Sequence, residues 1–455
     1  MTKGFRARVA ASAGIVLAGT TLSWLLNRNT SLKFYAPDFR KLFPAFFGHS
    51  ITLCDKQKSV QRVAEKYELD PEVNMLPQDT CERLPSTFDP WERILDELPD
   101  LNERGTLRNR VEFLPLIERE DELNRLSLLR RAHVVLAMIV QSYVFGHVLV
   151  KHDNENEEDK QVQKIPVQIA RPFMFVCDKL GIATIVCSCT LDTWNWKFKS
   201  NDKTFCLGNL TLVSRMTNEP AEVGFHIIPA MMNGIVGDLI SHLFFVDEAI
   251  ISRDNATIIN MIQRMKNVFE KFLKIFQHAS SLIEPSSFDR YRYFLQGFYP
   301  HGIIFEQARK CERSGIGDSG YEDIKVYLKG PSAGQSTMIF VFDKVLGIHH
   351  TGDAKAFQEE MVMYIPRGHR HLLQDLSRKL EKSGSLREYA NTCNEDCPIK
   401  IEYNACLDAF TKFRKYHLAV ASRYLAAVLK GTGGSDFRAL LRCVIGNTEA
   451  SRSAS

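Results

Sequence analysis

Apolar residues recur at helical spacing in long stretches of the chain, and this periodicity predicts most of its regular structure. Residues 126 to 150 form one such stretch, with Arg130 and Arg131 on the opposite face. Residues 403 to 430 form another, which contains neither glycine nor proline. Residues 255 to 279 form a third, and its apolar side chains make one broad stripe: Ile258, Ile259, Ile262, Met265, Phe269, Phe272 and Phe276.

The segments between these helices are less regular. Residues 32 to 85 are rich in proline, phenylalanine and charge, which predicts an extended arm around a globular body. Residues 154 to 163 form an acidic polar run that is typical of a solvated loop. Since no strongly alternating strand series is found, we predict a mainly α fold with a little sheet in the N-terminal half.

The N-terminus has a pattern of its own. Lys3, Arg6 and Arg8 precede a moderately apolar stretch over residues 9 to 26, a pattern that fits a membrane anchor or a mitochondrial presequence. A frayed helix on a soluble protein is the alternative. The predicted organisation is therefore an anchor or targeting segment over 1–31, followed by the body of the protein. If this segment is an anchor, the body of the protein is expected on the cytoplasmic face of an intracellular membrane. If it is not an anchor, the protein is expected to be soluble in the cytoplasm.

Composition narrows the class of protein. The 455 residues are 45% apolar and 25% charged, as in an ordinary globular protein. With 58 basic and 54 acidic residues, the net charge of +4 gives no indication of nucleic-acid binding. The 11 cysteines are scattered, which favours reduced thiols. Cys393 and Cys397 are spaced CxxxC without a second pair nearby, so a loop is favoured over a zinc site.

The chemistry that the pattern suggests is concentrated in the second half of the chain. His417 is a single histidine on an apolar helix face, with Arg414 one turn before it. On pattern alone, a core histidine is favoured over an axial metal ligand. Asp343 could pair with a buried arginine such as Arg414. Arg292 lies among aromatic residues, where a clamp for a carboxylate and a surface cation are equally good interpretations.

Four ordered motifs resemble the indoleamine 2,3-dioxygenase family of haem proteins. Residues 330–337 (GPSAGQST) are similar to the signature GGSAGQSS of that family, with proline in place of the second glycine. Residues 357–370 are similar to its second signature, although Gln358 and Ile365 depart from the usual leucine and methionine. Residues 414–418 (RKYHL) are similar to the helix of the proximal ligand, and residues 431–434 (GTGG) to a C-terminal loop.

The resemblance implies a two-lobed, mainly α fold that binds haem b between a smaller N-terminal lobe over 32–218, containing minor β structure, and a larger helical lobe over 219–455. His417 would be the proximal ligand of the haem iron. Arg414, held by Asp343, would pair with a haem propionate, and Ser332 and Ala333 would meet a propionate.

The resemblance also implies a substrate pocket. Arg292 and Phe288 would bind the substrate, Phe225 would pack near its indole ring, and Thr432 would close over it. Some positions depart from the family. Pro229 replaces a distal serine and Ser287 a phenylalanine, and the segment before residue 431 is short. His226 follows Phe225, and we expect it to face away from the haem, the alternative being that it faces the iron.

The function implied by the resemblance is oxidative opening of the indole ring of L-tryptophan, or of a related indoleamine, to N-formylkynurenine. Dioxygen and an electron donor for ferric haem are the other expected partners, and the protein is expected to be a monomer. Two alternatives stay open. One is a myoglobin-like oxygen carrier, since some relatives store dioxygen. The other is a degenerate haem sensor, for which the N-terminal segment and the short loop would argue.

Overall fold

The computed structural model describes residues 53–146, 163–312, 319–425 and 436–453. Apart from Leu53 to Asp55, the N-terminal unit Met1–Asp55 lies outside these residues, and so does the predicted anchor over 9–26. Lys56–Ser455 forms the second compact unit. The boundary predicted between residues 218 and 219 stays a prediction.

The described part of the chain is mainly helical, as predicted. Its α-helices, numbered in chain order, are α1 Leu53–Lys66, α2 Asp89–Asp96, α3 Leu98–Arg104, α4 Leu107–Glu112, α5 Leu126–Phe145, α6 Val167–Leu180, α7 Pro220–Val236, α8 Leu239–Leu243, α9 Val246–Ile251, α10 Asn255–Gln277, α11 Ala279–Leu282, α12 Pro285–Tyr291, α13 Thr337–Leu346, α14 Gly352–Met361, α15 Arg367–Ser383, α16 Leu386–Asn391, α17 Pro398–Tyr424 and α18 Phe437–Glu449. Cys189–Thr193 forms one turn of π-helix.

The strands form two small sheets. They are β1 Gln163–Ile165, β2 Trp196–Phe198, β3 Leu210–Leu212, β4 Ile303–Glu312 and β5 Ser319–Val326. In the first sheet the strand order is β1-β4-β5, with β1 parallel to β4 and β5 antiparallel to it. In the second, β2 and β3 are antiparallel, and Trp196 lies opposite Leu212.

Two predictions about regular structure are corrected. Residues 32–85 were expected to be irregular, but α1 begins at Leu53 because Val60, Val63 and Ala64 give it a buried stripe between its charged residues. A little sheet was expected in the N-terminal half, where β1, β2 and β3 lie, but the longer strands β4 and β5 lie in the C-terminal half. Their polar residues hide the alternation, and a register shift between Phe305 and Arg309 breaks it.

The packing of α10 on α17 forms the centre of the helical half. Phe269 stacks on Phe410 with ring centroids 4.1 Å apart, and Phe272 meets Phe413 at 5.4 Å. The residue numbers rise together along both helices, so the two helices run in the same direction. Each of the two helices buries its apolar stripe against the other helix. The stripes predicted from the sequence are therefore the faces by which α10 and α17 pack together.

Helix α5 passes through the core of the other half. Among the described helices it is the one that is long and apolar enough to cross a membrane, but 78% of its apolar window is buried inside the protein. Its polar residue Gln141 donates to the carbonyl oxygens of Phe294 and Gln296 at 2.9 and 2.7 Å. The burial and this contact are those of a core helix.

Candidate active site

Helix α17 carries the first candidate side chain, His417. The helix begins with Pro398 at its first position and continues for 27 residues to Tyr424. His417 continues the aromatic contacts between α10 and α17, because its ring centroid lies 5.5 Å from that of Phe276. It also lies parallel to Phe413 at 6.4 Å. The apolar face that the sequence predicted is therefore packed on α10, with the imidazole at its C-terminal end.

The His417 imidazole is largely buried, and no polar group of the described residues contacts it. Among the described residues it has ring contacts but no hydrogen-bond partner. Burial, together with the nearby charge of Arg414, lowers the pKa of His417 to about 4. The ring is therefore neutral at pH 7, and a neutral imidazole nitrogen can ligate a metal.

Arg414 lies one turn before His417 and is held from two sides. Its Nη2 donates to Oδ1 of Asp343 at 2.6 Å, and its Nη1 donates to the hydroxyl of Thr448 in α18. Oδ2 of Asp343 lies 2.9 Å from Nε2 of His350. Burial raises the pKa of Asp343, but Arg414 and His350 lower it by more, so the carboxylate is charged at pH 7. The pairing of Asp343 with Arg414 is confirmed.

A group of aromatic side chains lies beyond the C-terminal end of the same helix face. Phe225 of α7 contacts Phe288 of α12 at 4.9 Å, and Phe288 contacts Tyr424 at 5.7 Å. Tyr424 follows His417 by seven residues, or two helical turns, so both residues lie on one face of α17. A Cβ at Gly224 would lie 2.2 Å from the carbonyl oxygen of Leu282, so glycine permits this close approach of α7. The structure thus brings Phe225 and Phe288 together.

A buried chain of hydrogen bonds lies beside this aromatic group. Nδ1 of His226 is 2.6 Å from Oδ1 of Asp192, and its Nε2 is 2.5 Å from the hydroxyl of Tyr291. Ser188 donates to Oδ2 of Asp192 at 2.6 Å. Burial raises the pKa of Tyr291 well above its usual value, so its hydroxyl keeps its proton and donates to His226. We refer to Ser188, Asp192, His226 and Tyr291 as the polar chain.

The polar chain was not predicted from the sequence, although a signal for it exists. Asp192 is the one charged residue in the sequence from 182 to 196, a stretch that is rich in apolar residues. A carboxylate that becomes buried must find a partner. Both ring nitrogens of His226 are engaged by protein groups, so they are not free for another ligand. Whether the ring faces away from a haem, as expected from the sequence, stays a prediction.

The turn before α13 joins the polar chain to the motif at residues 330–337. Ser332 precedes the short turn Ala333–Gln335 and accepts a hydrogen bond from the amide of Gly334 at 3.2 Å. Oε1 of Gln335 accepts from the amide of Ser188 at 2.9 Å. Ser332 is partly exposed and Ala333 is exposed, so both remain accessible to a ligand.

Arg292 is in a different situation from the other candidates. Its Nε donates to Oδ1 of Asp289 at 3.0 Å, and its side chain is 29% exposed. It follows Phe288 by four residues at the junction of α12 and a short 3₁₀ turn, Arg292–Leu295. In this structure it therefore has the contact of a surface cation, and its role in binding a carboxylate stays a prediction.

Two further positions complete the predicted set. Pro229 follows Phe225 by one turn of α7, and both are partly exposed, so these residues lie on one face of the helix. Thr432 and the loop over 431–434 lie outside the described residues. The predicted acidic loop over 154–163 also lies outside them, except for Gln163.

The chemistry of these residues fits haem better than a bare metal ion. A bare zinc ion usually takes three or four ligands from protein side chains. No group of three or more histidine, cysteine or acidic residues with metal-binding geometry occurs in the described ranges. A haem iron needs only one protein ligand, since the porphyrin provides four. His417 could supply that ligand, and Arg414 and Ser332 have the charge and polarity to meet propionates.

Loss of the Tyr291 hydroxyl should destabilise the polar chain. The variant Tyr291→Phe leaves Nε2 of His226 buried without a partner, which typically costs about 1–3 kcal/mol. We expect this decrease in the free energy of unfolding, measured by urea denaturation. Tyr293→Phe is the matched control, because Tyr293 is 39% exposed. Equal stabilities of the two variants would contradict the importance of the polar chain.

Comparisons with known proteins agree with the motifs. The family profile described as "Indoleamine 2,3-dioxygenase" matches residues 63–439. The chain is 28% identical to indoleamine 2,3-dioxygenase 1 of Rattus norvegicus, over 86% of this chain and 95% of that protein. It is 24% identical to a myoglobin of Haliotis madaka, over 84% of this chain and 97% of that protein. It is also 24% identical to a 6-hydroxytryptophan 2,3-dioxygenase of Fusarium equiseti, over 82% and 87%.

Proposed function

Because the chain belongs to the indoleamine 2,3-dioxygenase family, we propose that it is a haem-dependent dioxygenase that converts L-tryptophan to N-formylkynurenine. The observation that supports this most directly is the position of His417, a neutral imidazole without a hydrogen-bond partner among the described residues, on the helix face that also carries Tyr424. In this proposal, haem would supply the activation of dioxygen that allows its addition across the indole C2–C3 bond.

His417 and the residues behind it would hold the cofactor. His417 would ligate the iron through a ring nitrogen. Arg414 would face a propionate while Asp343 and Thr448 keep its guanidinium in place. Ser332 would offer its hydroxyl to a propionate. Because the Asp343–Arg414 pair is already formed, binding the cofactor would not require ordering of the arginine.

Phe225 and Phe288 would orient the substrate. Their rings lie 4.9 Å apart at an interplanar angle of 37°, and an indole ring packs well against such aromatic surfaces. The buried hydrogen bonds from Asp192 to Tyr291 would keep α7 and α12 in register behind these rings. Orientation and exclusion of water are the contributions that a protein makes to such a reaction.

Arg292 would bind the carboxylate of the substrate by exchanging partners. Its present contact with Asp289 involves an aspartate side chain that is 61% exposed, and surface pairs of this kind contribute about 0–1 kcal/mol. A charge-assisted bond to a desolvated carboxylate contributes about 1.5–3 kcal/mol. The exchange of partners is therefore favourable once a substrate packs against Phe225 and Phe288.

Substitution of Arg292 tests this assignment. Arg292→Ala should raise the KM for tryptophan roughly ten- to a hundredfold, because the charge-assisted bond is lost, and should leave the haem spectrum unchanged. Arg290→Ala is the matched control, since Arg290 is exposed and pairs with Glu219. The measurement is steady-state kinetics of both variants. An unchanged KM in Arg292→Ala would move the carboxylate site elsewhere.

The activity itself is tested with the purified, haem-loaded protein under reducing conditions in air. Tryptophan should be consumed, and N-formylkynurenine should appear in equal amount by its absorbance and by mass spectrometry. The match to a myoglobin favours an oxygen carrier as the second candidate. That function requires a stable dioxygen complex of the ferrous protein that persists with tryptophan present, without product. This outcome would overturn the proposed dioxygenase activity.

A further inference from the structure

The two cysteines spaced CxxxC lie together at the beginning of helix α17. Cys397 is the residue immediately before the helix, and its amide donates to the carbonyl oxygen of Asn394 at 3.0 Å. Cys393 follows α16, and its amide donates to the carbonyl oxygen of Ala390 at 3.1 Å. The Cys393 thiol donates to the carbonyl oxygen of Tyr389 at 3.7 Å, and the two turns place it close enough to Cys397 for each thiol to shift the pKa of the other.

This pair is accessible from solvent. Both cysteine side chains are partly buried, and the three residues between them, Asn394, Glu395 and Asp396, are exposed. Because the intervening segment is a surface turn, the two sulfur atoms can approach each other without disturbing a packed core. The pair also lacks the further ligands that zinc requires, since no metal-binding group occurs among the described residues.

The environments of the two thiols differ. Burial raises the pKa of Cys397, but the amides of Ile399 and Lys400 and the thiol of Cys393 lower it by more, so it lies below the usual value. Burial and the adjacent Cys397 raise the pKa of Cys393. A thiol at a helix N-terminus is stabilised as the thiolate, which is the nucleophilic form. Cys397 is therefore suited to attack, and Cys393 to resolve a mixed disulfide.

Four other described cysteines lie in different environments. Cys177, Cys187 and Cys406 are buried, and burial raises the pKa of each. Cys443 is partly buried inside α18, and its thiol donates to the carbonyl oxygen of Thr351 at 3.8 Å, so it does not begin its own helix as Cys397 does. Cys443 is thus a suitable internal reference for reactivity.

We propose that Cys393 and Cys397 form a reversible redox site that is oxidised by low-molecular-weight disulfides such as glutathione disulfide. The Cys397 thiolate attacks one sulfur of glutathione disulfide and releases one glutathione thiolate, leaving a mixed disulfide on Cys397. The Cys393 thiol then attacks the Cys397 sulfur, and its proton passes to the second glutathione thiolate as that group leaves. Two protein thiols become one disulfide, and one glutathione disulfide becomes two glutathione molecules.

The site is independent of the proposed dioxygenase chemistry. His417 follows Cys397 by twenty residues of one helix, which corresponds to about 30 Å. Oxidation of the pair is therefore expected to proceed in the same way in the variant His417→Ala. This comparison separates a failure of the redox site from a failure of the haem assignment.

The experiment uses the purified full-length protein in glutathione buffers of increasing oxidised fraction at pH 7. Samples are quenched with acid, the remaining thiols are alkylated, and peptides are analysed by mass spectrometry. We expect one disulfide between Cys393 and Cys397, reversed by excess reduced glutathione. Cys393→Ser should accumulate a glutathione adduct on Cys397, whereas Cys397→Ser should leave Cys393 reduced. Cys443→Ser is the control and should form the disulfide as the unsubstituted protein does.

A second measurement uses the unsubstituted protein and so does not depend on how well the variants fold. The rate at which iodoacetamide alkylates Cys397 in the unsubstituted reduced protein should exceed that of Cys443 at pH 7, and its pH midpoint should lie below about 8.5, the ordinary cysteine value. The proposal is overturned if Cys397 and Cys443 react at equal rates and both cysteines of the pair stay reduced in glutathione disulfide.

Discussion

Replacement of His417 by alanine is expected to abolish stoichiometric haem binding while the chain remains folded. In the proposed site His417 is the one protein group that would bond to the iron, whereas Arg414 and Ser332 would reach only the propionates. The haem content of the purified variant and its Soret absorbance measure the effect. Loss of the imidazole also removes the contact with Phe276, so circular dichroism is needed to verify the helical fold.

Two further samples make the His417 result specific. His278→Ala is the matched control, because His278 is exposed and its Nδ1 contacts only the carbonyl oxygen of Lys274. Its haem content should equal that of the unsubstituted protein. Imidazole added to His417→Gly should restore part of the absorbance by occupying the vacated position. Full haem content and a histidine-ligated spectrum in His417→Ala would show that another residue is the ligand.

Replacement of Asp343 by asparagine is expected to cost about 3–5 kcal/mol of stability at pH 7, the usual effect of breaking a buried ion pair. The substitution keeps the shape of the side chain but leaves the Arg414 guanidinium buried without a counter-charge. The Asp343 and Arg414 side chains are only 5% and 7% exposed, so water cannot compensate. Urea denaturation of the purified variant measures the loss. Asp408→Asn is the control, because its pair with Arg452 is more than half exposed and should contribute little.

The effect of Asp343 should depend on pH in a defined direction. Arg414 and His350 hold the pKa of Asp343 below its usual value despite burial. A carboxyl group with a lowered folded-state pKa contributes stability above its unfolded-state pKa, and this contribution is lost as the pH falls through the folded value. The stability difference between the unsubstituted protein and Asp343→Asn should therefore be constant near neutrality and decrease below about pH 4. A difference that persists at lower pH would indicate a cause other than the ion pair.

The long helices were predictable from the sequence. Each has apolar residues that repeat every three or four positions. This pattern can be seen in the sequence without knowing which element the helix packs against. The stripe of α10 was predicted from Ile258 to Phe276, and the observed helix is Asn255–Gln277. The face of α17 that carries His417 was predicted in the same way, although the helix begins five residues earlier than expected, at Pro398.

The pairing of Asp343 with Arg414 was also predictable, because each residue places a charge on a predicted helix that is largely apolar. A charge in such a position must find an opposite charge when it is buried. The observed distance of 2.6 Å follows from the packing that brings α13 close to α17. The sequence therefore indicated which residues are candidates for binding or catalysis, and which helices carry them.

Only the tertiary structure decided which of these residues meet. Asp192, His226 and Tyr291 come from segments separated by 34 and 65 positions, and no local pattern specifies that their side chains share one buried chain of hydrogen bonds. The sequence also left the partner of Arg292 undecided. An arginine that binds a ligand carboxylate and an arginine that pairs with a surface aspartate can have the same neighbours in sequence. Strands β4 and β5 were missed because their pairing depends on a register shift that breaks the alternation. Periodicity reports on neighbours along the chain, whereas these features depend on contacts between distant segments.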